Sequence, residues 1–492
     1  MKNPTGILAV IPSRLQTGES FTLKIKVLGP VCPIPSAGNY KDWKPQLHSA
    51  FNLNACRMIQ FHDNCLPKWQ GILMVDGGSS LSGPLELIFD GVDQGVFPGD
   101  TRPIKEFTDL SFTEPGFHFI KLTDSQSGIN AWTNPVYVTV EKPKNRIYWG
   151  DPHWQTFFSD GIRCPEELYA FARDEAFLDF GAISDHMEAV TDYQWDYFQA
   201  VTNGYNAPGC FATLIGQEWT HHDPQFGAPG HRNIYYRGDK GPAMRSTDTD
   251  CNTLQKLWDK LDSLQGIDSL AIPHHTANVV MGVNWDLGWN PKYEKAVEIY
   301  SVWGSSEKPK DAGNTRSIKS LKGEMKGRHV IDALKKGYRM GFVGGGDIHD
   351  GRPGDDLHSD SYPPNPVGTK NYPQGFTAAI IPELTRDNVF SAICEHKTYA
   401  SSKSRIYLEV RVEPQANRRR YLTVRTASEH GIIEVAVVVN GEDIAKLKPA
   451  GDRRIVESNF LIKEMLRNDF CYIRVLTENQ DLAWSSPFWG DE

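Results

Sequence analysis

The spacing of apolar and polar residues divides the chain into three regions. In the first region the two kinds of residue alternate along residues 21–27, as they do in a strand with one buried face. The same period of two returns near the other end of the chain, in residues 406–412 and 433–439. We therefore predict β-sandwich domains over residues 1–144 and 404–492.

Between these two regions, short apolar runs alternate with helix-like segments. Residues 178–183 and 269–272 are apolar runs typical of buried strands. Residues 165–176 instead carry apolar side chains three or four positions apart, which lie on one face of a helix. Strand–helix alternation with polar residues at the strand ends is typical of α/β barrels. We therefore predict an α/β barrel over residues 147–403.

Potential metal ligands follow these apolar runs in six short clusters. Imidazoles and carboxylates are ligands of Zn²⁺, Mn²⁺ and Fe²⁺, and charged groups are seldom fully buried unless they are paired or bound to metal. Alternate residues of an extended segment face the same side, so members of one cluster are able to converge. The ten candidate ligands are Asp151, His153, Gln155, Asp185, His186, Glu218, His231, His274, Asp347 and His349.

Several of these residues and their neighbours are candidates for catalysis or substrate binding. Glu218 is a candidate to bridge two metals, and Asp347 or His349 is a candidate to pass a proton to the leaving group. A carboxylate that caps the next segment is the alternative for Glu218. The candidate substrate contacts are His275, Asn233, Arg352 and the aromatic residues Trp285 and Trp303. Arg352 would hold an anionic group, and an ordinary surface arginine is its alternative.

As a set, the motifs resemble those of the polymerase and histidinol phosphatase (PHP) superfamily of metal-dependent hydrolases, in particular its large multidomain branch with β-sandwich flanks. The family's opening motifs, Asp-x-His-x-His and Ser-Asp-Gly, stand here as Asp151-Pro-His153-Trp-Gln155 and Ser159-Asp160-Gly161. Alone, the second of these is only a turn. The other matches are Ser184-Asp185-His186, Glu218, Gly230-His231, Pro273-His274 and Asp347-Ile-His349.

The resemblance implies a distorted (β/α)7 barrel that binds two or three metal ions. Gln155 departs from the motif, and its neutral amide is a poorer ligand than the histidine it replaces. We expect two divalent cations (Zn²⁺, Mn²⁺ or Fe²⁺), within a range of one to three. The expected function is hydrolysis of a phosphoester, carboxyl ester, carbamate or amide of a small molecule by a metal-activated water. The alternatives are a non-catalytic metal-binding module and a metal-dependent lyase.

Composition narrows the expected partners. The net charge of −9 and the isoelectric point near 5.9 argue against a nucleic-acid scaffold. No run approaches the roughly 18 apolar residues of a membrane-spanning helix, and Pro12 interrupts the short apolar stretch near the first residue. The eight cysteines form no Cys-x-x-Cys pair and fit reduced thiols. We expect a cytoplasmic protein, and the sequence leaves a homo-oligomer open.

Overall fold

The computed structural model describes residues 4–29, 69–91, 103–161, 163–221, 228–349, 351–354 and 372–492. These residues contain thirty β-strands but five α-helices, so extended chain dominates the described part of the protein. No helix among the described residues combines the length and the apolar character needed to cross a bilayer.

The first eleven strands form three small sheets with the orders β1-β3-β7-β5, β10-β9-β4-β6 and β2-β11-β8. Alternate residues of β3, such as Leu23 and Ile25, are fully buried, as the period of two predicts. They contribute to an apolar core formed within residues 7–138. The strands are β1 (Gly6–Val10), β2 (Arg14–Gln16), β3 (Phe21–Leu28), β4 (Gln70–Asp76), β5 (Leu81–Ser82), β6 (Glu86–Asp90), β7 (Ile104–Phe112), β8 (Gly116–His118), β9 (Lys121–Asp124), β10 (Asn130–Trp132) and β11 (Val136–Thr139).

The central region carries all five described helices. Its elements are β12 (Arg146–Trp154), α1 (Pro165–Asp174), β13 (Phe180–Ile183), α2 (Asp192–Tyr205), β14 (Ala212–Thr213), β15 (Ile215–Trp219), β16 (Arg232–Tyr236), α3 (Leu254–Asp262), β17 (Ser269–Pro273), β18 (Ala296–Ser301), β19 (Gly304–Ser305), α4 (Val330–Lys335), β20 (Gly341–Gly344), β21 (Gly375–Ile381), α5 (Arg386–Cys394) and β22 (Thr398–Ser402). Short 3₁₀ turns lie at Met187–Ala189, Trp285–Leu287 and Lys310–Ala312.

The predicted (β/α)7, TIM-like barrel is wrong. Such a barrel needs parallel neighbours joined by helices, whereas β15, β16 and β17 form an antiparallel sheet. Strand β21 is also antiparallel to both β12 and β22. Among the described strands of this region, parallel pairing is limited to β12-β13-β14 and β18-β20, apart from isolated bridges. The prediction failed because apolar runs report burial but do not specify which strand lies alongside, or in which direction.

The remaining strands are β23 (Tyr407–Gln415), β24 (Arg419–Ala427), β25 (Ile432–Val439), β26 (Glu442–Leu447), β27 (Ile455–Ile462), β28 (Phe470–Thr477), β29 (Leu482–Ser485) and β30 (Phe488–Trp489). Strands β23, β24 and β27 form a separate sheet, but β29 pairs with β22. One ten-stranded sheet therefore runs across residue 404. The domain limits 1–144, 147–403 and 404–492 stay predictions.

Two irregular pairings bring the strand ends of the central region together. The register between β12 and β13 shifts between Asp151 and Trp154, and Trp154 forms an isolated bridge to Ile348. A second isolated bridge joins His186 to Glu218. These pairings place the ends of β12, β13 and β15 beside the segment that follows β20.

Candidate metal centre

Potential ligand atoms cluster in three groups of side chains. Within each group, these atoms all lie within 4.8 Å of one another. The first two groups are buried, and the third is partly exposed to solvent. The groups are Glu218, His231, His274 and His275; His153, His274 and Asp347; and Asp160, His186 and His349. The described part of the chain thus has buried histidine and carboxylate clusters that could hold a metal ion.

Glu218 lies at the centre of these groups, near the end of β15. Its Oε1 is 2.7 Å from His231 Nδ1, 3.2 Å from His274 Nε2 and 3.3 Å from His186 Nδ1. Its Oε2 is 3.4 Å from His153 Nε2. Burial acts to raise the pKa of Glu218, but the surrounding imidazoles outweigh it and hold the pKa well below its usual range. Glu218 therefore stays ionised although it is buried.

His153 has a carboxylate at each ring nitrogen. Its Nε2 is 3.3 Å from Asp347 Oδ1, and its Nδ1 is 3.0 Å from Glu298 Oε2. Burial acts to lower the pKa of His153, but Asp347 and Glu298 together raise it well above its usual value. Glu298 is absent from the predicted site. Its signal in the sequence is a single acid within the otherwise uncharged strand Ala296–Ser301.

Asp151 and Gln155 make hydrogen bonds at the edge of these groups. Asp151 Oδ1 accepts from the backbone N–H of Gly346 at 2.7 Å and of His153 at 3.0 Å. Burial, opposed by these hydrogen bonds, raises the pKa of Asp151 to about 8. The Gln155 amide donates to Glu218 Oε2 at 2.7 Å. The structure thus places Gln155 against Glu218 and Asp151 beside the second group.

Asp185 fixes the loop that follows β12. Its Oδ1 accepts from the backbone N–H and from the hydroxyl of Thr156, each at 3.0 Å, and also from the Ser159 hydroxyl. Burial, opposed by these hydrogen bonds, raises the pKa of Asp185 to about 6. Asp185 lies outside the three groups, although the neighbouring His186 belongs to the third.

The third group contains Asp160, which belongs to the Ser-Asp-Gly motif but is not among the predicted ligands. Asp160 Oδ1 is 3.3 Å from His349 Nε2 and 3.6 Å from His186 Nε2. Burial acts to lower the pKa of His349, but Asp160 outweighs it and raises the pKa to about 9. The His349 side chain is 25% exposed, so this side of the cluster is accessible from solvent.

Two predicted substrate contacts lie within the buried cluster. His275 belongs to the first group, and its Nε2 is 3.9 Å from Asp347 Oδ2. Burial and the neighbouring His274 hold the pKa of His275 well below its usual value. Asn233 pairs directly with Glu218 across β15 and β16, so the two side chains share one face of the sheet.

The other predicted contacts differ in their surroundings. Trp303 Nε1 donates to Asp347 Oδ2 at 2.6 Å and thereby helps to hold that carboxylate. Trp285 is buried in an apolar core and donates to the backbone oxygen of Arg328 at 3.0 Å. The guanidinium of Arg352 is buried 4.8 Å from the centre of the Phe171 ring. The substrate roles of these residues stay predictions.

The donor set fits a divalent transition metal. Asp151 Oδ2, Asp185 Oδ2 and His274 Nδ1 are buried and make no hydrogen bond with any described residue. Buried polar atoms without partners are rare and call for an explanation such as a bound ion. The rings of His153 and His274 lie 4.4 Å apart, a spacing at which two imidazolium charges would repel. Mixed imidazole and carboxylate ligands suit Zn²⁺, Mn²⁺ or Fe²⁺ better than Mg²⁺ or Ca²⁺.

Comparisons with known proteins match part of this centre to a family of unknown function. Residues 166–301 match a family described as "Protein of unknown function (DUF3604)". The chain is also similar to uncharacterised proteins of Chlamydia trachomatis, Chlamydia pneumoniae and Chlamydia muridarum. It is 26% identical to each over 410 residues, which cover 78% of this chain and 63% of the relative. The chain therefore spans less than two thirds of the length of these relatives.

Proposed function

We propose that this protein is a metal-dependent hydrolase that acts on a small molecule. The observation that carries the proposal is the position of Glu218, whose two carboxylate oxygens face different histidines of one buried cluster. A carboxylate in this position is suited to bridge two cations. The resemblance of the motifs to those of PHP hydrolases supports the same reading.

The two buried groups would hold two cations, Zn²⁺, Mn²⁺ or Fe²⁺, and Glu218 contacts members of both. When bound, the cations would supply Lewis acidity toward a substrate oxygen and lower the pKa of a water. Trp303 holds Asp347 by a hydrogen bond, and Asp151 fixes the backbone of Gly346 beside it. His349 is partly exposed, so it is better placed than the buried Asp347 to give a proton to a leaving group.

The substrate proposal is a phosphoester, a carboxyl ester, a carbamate or an amide. The net charge of −9 supports a small-molecule substrate over nucleic acid. We also propose a cytoplasmic location. The described cysteines, which are free thiols, support it because disulfides are rare in that compartment.

The first experiment measures metal content and turnover on the full chain. Chelator treatment should abolish hydrolysis, and addition of Zn²⁺, Mn²⁺ or Fe²⁺ should restore it. Rates on p-nitrophenyl phosphate, p-nitrophenyl acetate and naphthyl carbamates would identify the bond that is cleaved. Full turnover by the stripped protein would contradict the proposal. Metal binding without turnover would favour a binding module, and an unsaturated product would favour a lyase.

A variant of the central carboxylate tests the same proposal. Glu218→Gln should lower turnover at least about 100-fold and reduce bound metal, because a neutral amide is a weak ligand. The matched control is Asp286→Asn, which removes an exposed carboxylate paired with Lys336. It should leave both metal content and turnover unchanged. Equal metal content in the two variants would contradict a bridging role for Glu218.

A further inference from the structure

Glu298 is a buried acid to which the proposed mechanism gives no role. It lies in β18 and is 2% exposed, and its neighbours Val297 and Ile299 are fully buried apolar residues. Burying an ionised carboxylate is unfavourable unless a partner compensates for the lost hydration. The partner of this carboxylate therefore indicates why an acid stands in an apolar strand.

That partner is Nδ1 of His153. Glu298 Oε2 is 3.0 Å from Nδ1, whereas Nε2 of the same ring faces Glu218 and Asp347 at 3.4 and 3.3 Å. The two ring nitrogens thus face different carboxylates. A histidine that binds metal through one nitrogen commonly donates the N–H of the other to a carboxylate, which fixes both the tautomer and the ring orientation.

The backbone beside this pair leaves room for it. A Cβ added to Gly345 would lie 2.1 Å from Glu298 Oε2 and 3.0 Å from His153 Cβ. Any other residue at this position would therefore displace the carboxylate or the imidazole. The glycine, the acid and the histidine come from three separate segments of the chain and fit together at one point.

We propose that Glu298 is a positioning residue that holds His153 with Nδ1 protonated and Nε2 directed at Glu218 and Asp347. The inference rests on the proposed function insofar as His153 is a metal ligand. Glu298→Gln keeps the shape of the side chain but removes its charge, and its amide group can turn an N–H toward Nδ1. Zinc affinity should then fall by about 10- to 100-fold, the usual effect of losing such a partner.

The experiment titrates zinc into the metal-free full chain by calorimetry. Wild type and Glu298→Gln are compared with Glu307→Gln as the matched control. Glu307 is equally buried and accepts from Tyr472 and Arg474, and it belongs to none of the three groups. The control should lower thermal stability and leave zinc affinity unchanged. A purely structural role for Glu298 would give the same result as the control and would overturn the inference.

Two further measurements separate this inference from the proposed function. In zinc-loaded wild type, the ¹⁵N spectrum should show His153 protonated at Nδ1 and bound through Nε2, and the opposite assignment would overturn the inference. This readout does not require any variant to fold. If wild type binds none of Zn²⁺, Mn²⁺ and Fe²⁺, the proposed function fails. Crystal structures of metal-free wild type and Glu298→Gln then test the inference without metal. A His153 ring that turns away from Glu218 in the variant supports the inference. An unchanged ring overturns it.

Discussion

Single side chains of the candidate centre differ sharply in their protonation. Glu218 is ionised because several imidazoles surround it, whereas burial raises the pKa of Asp151 to about 8. His349 has a pKa near 9 because Asp160 outweighs the effect of burial. Asp347 and Glu298 raise the pKa of His153 well above its usual value, so without metal this ring holds a proton that a bound cation would displace. Metal binding should therefore release protons.

The stability of the metal-free protein should fall as pH rises. Asp151 has a folded pKa of about 8, above its unfolded value of about 4. Between these two pH values the carboxyl group is protonated mainly in the folded state, so its contribution to stability is lost as pH rises through about 8. The contribution of His349 is complete below its unfolded pKa of 6.5 and is lost as pH rises through about 9. We expect the melting temperature to fall from about pH 6 to about pH 9, and saturating zinc to reduce the fall. Scanning fluorimetry checks this; a melting temperature that rises with pH would contradict it.

Gln155 lies beside the central carboxylate of the candidate centre. Its amide donates to Glu218 Oε2 and accepts from the Ser159 hydroxyl at 2.9 Å. Gln155→His would place an imidazole at this position, so we expect tighter zinc binding or an additional bound ion. Metal analysis and calorimetry measure both. Gln255→His, which adds a histidine to an exposed position of α3, is the control and should change neither. Equal zinc binding by both variants would contradict the expectation.

Two residues of the candidate centre have unusual backbone conformations. His275 follows β17 with φ of +32°, and Asp347 follows β20 with φ of +48°. Such angles cost a non-glycine residue about 1–3 kcal/mol, so the surrounding structure must hold them in place. Three glycines precede Asp347, and two of them approach buried carboxylates closely. The loop after β20 therefore needs glycine at positions 345 and 346, because a side chain there would displace a buried carboxylate of the candidate centre.

Gly346→Ala should damage this loop. The new Cβ would lie 2.3 Å from Asp151 Oδ2, so either the loop or the carboxylate must move. We expect a loss of about 1–3 kcal/mol in the free energy of unfolding, together with weaker zinc binding. Urea denaturation and calorimetry measure the two effects. The control is Gly204→Ala in α2, where no atom outside the helix backbone and the adjacent residues lies within 4 Å of the new Cβ. It should stabilise the protein by up to about 1 kcal/mol, and an equal effect of both substitutions would contradict the account.

Across the chain as a whole, the last strands are bound tightly to the central region. Strand β29 extends the central sheet by pairing with β22, so residues 404–492 cover what would otherwise be a sheet edge. The buried Glu307 reinforces this contact. It accepts from Tyr472 at 2.6 Å, Arg474 at 2.7 Å and Trp484 at 2.8 Å. Glu307 of the central region therefore depends on residues that follow it by more than 150 positions.

Arg474→Met tests this dependence. The substitution leaves Glu307 as a buried carboxylate without its main counter-charge, which typically costs about 3–5 kcal/mol. We expect a loss of that size in urea denaturation, with a single cooperative transition. The matched control is Arg411→Met, which removes an arginine that is 64% exposed and paired with Glu409. It should change stability by less than about 1 kcal/mol. A loss of less than about 1 kcal/mol for Arg474→Met would contradict the expected contribution of the Arg474–Glu307 ion pair to stability.

The amino-acid pattern was sufficient for local structure. Alternation predicted β3 because each exposed or buried side chain reports the face on which it lies. Asn440 and Gly441 form the turn between β25 and β26 with φ of +52° and +84°, as the Asn-Gly pair favours. The residue types that ligate metals were likewise visible before the fold, because their chemistry does not depend on position.

Contacts between distant segments could not be obtained in this way. The strands β15-β16-β17 and β21-β22 pair antiparallel, which contradicts the predicted barrel. The sequence could not predict this direction, because an apolar run is equally suited to parallel and antiparallel neighbours. Asp160 and Glu298 joined the candidate centre although one stood in a turn and the other in an apolar strand. Their proximity to the histidines is a property of the packed chain, since residues far apart in sequence gain interaction energy only after folding brings them into contact.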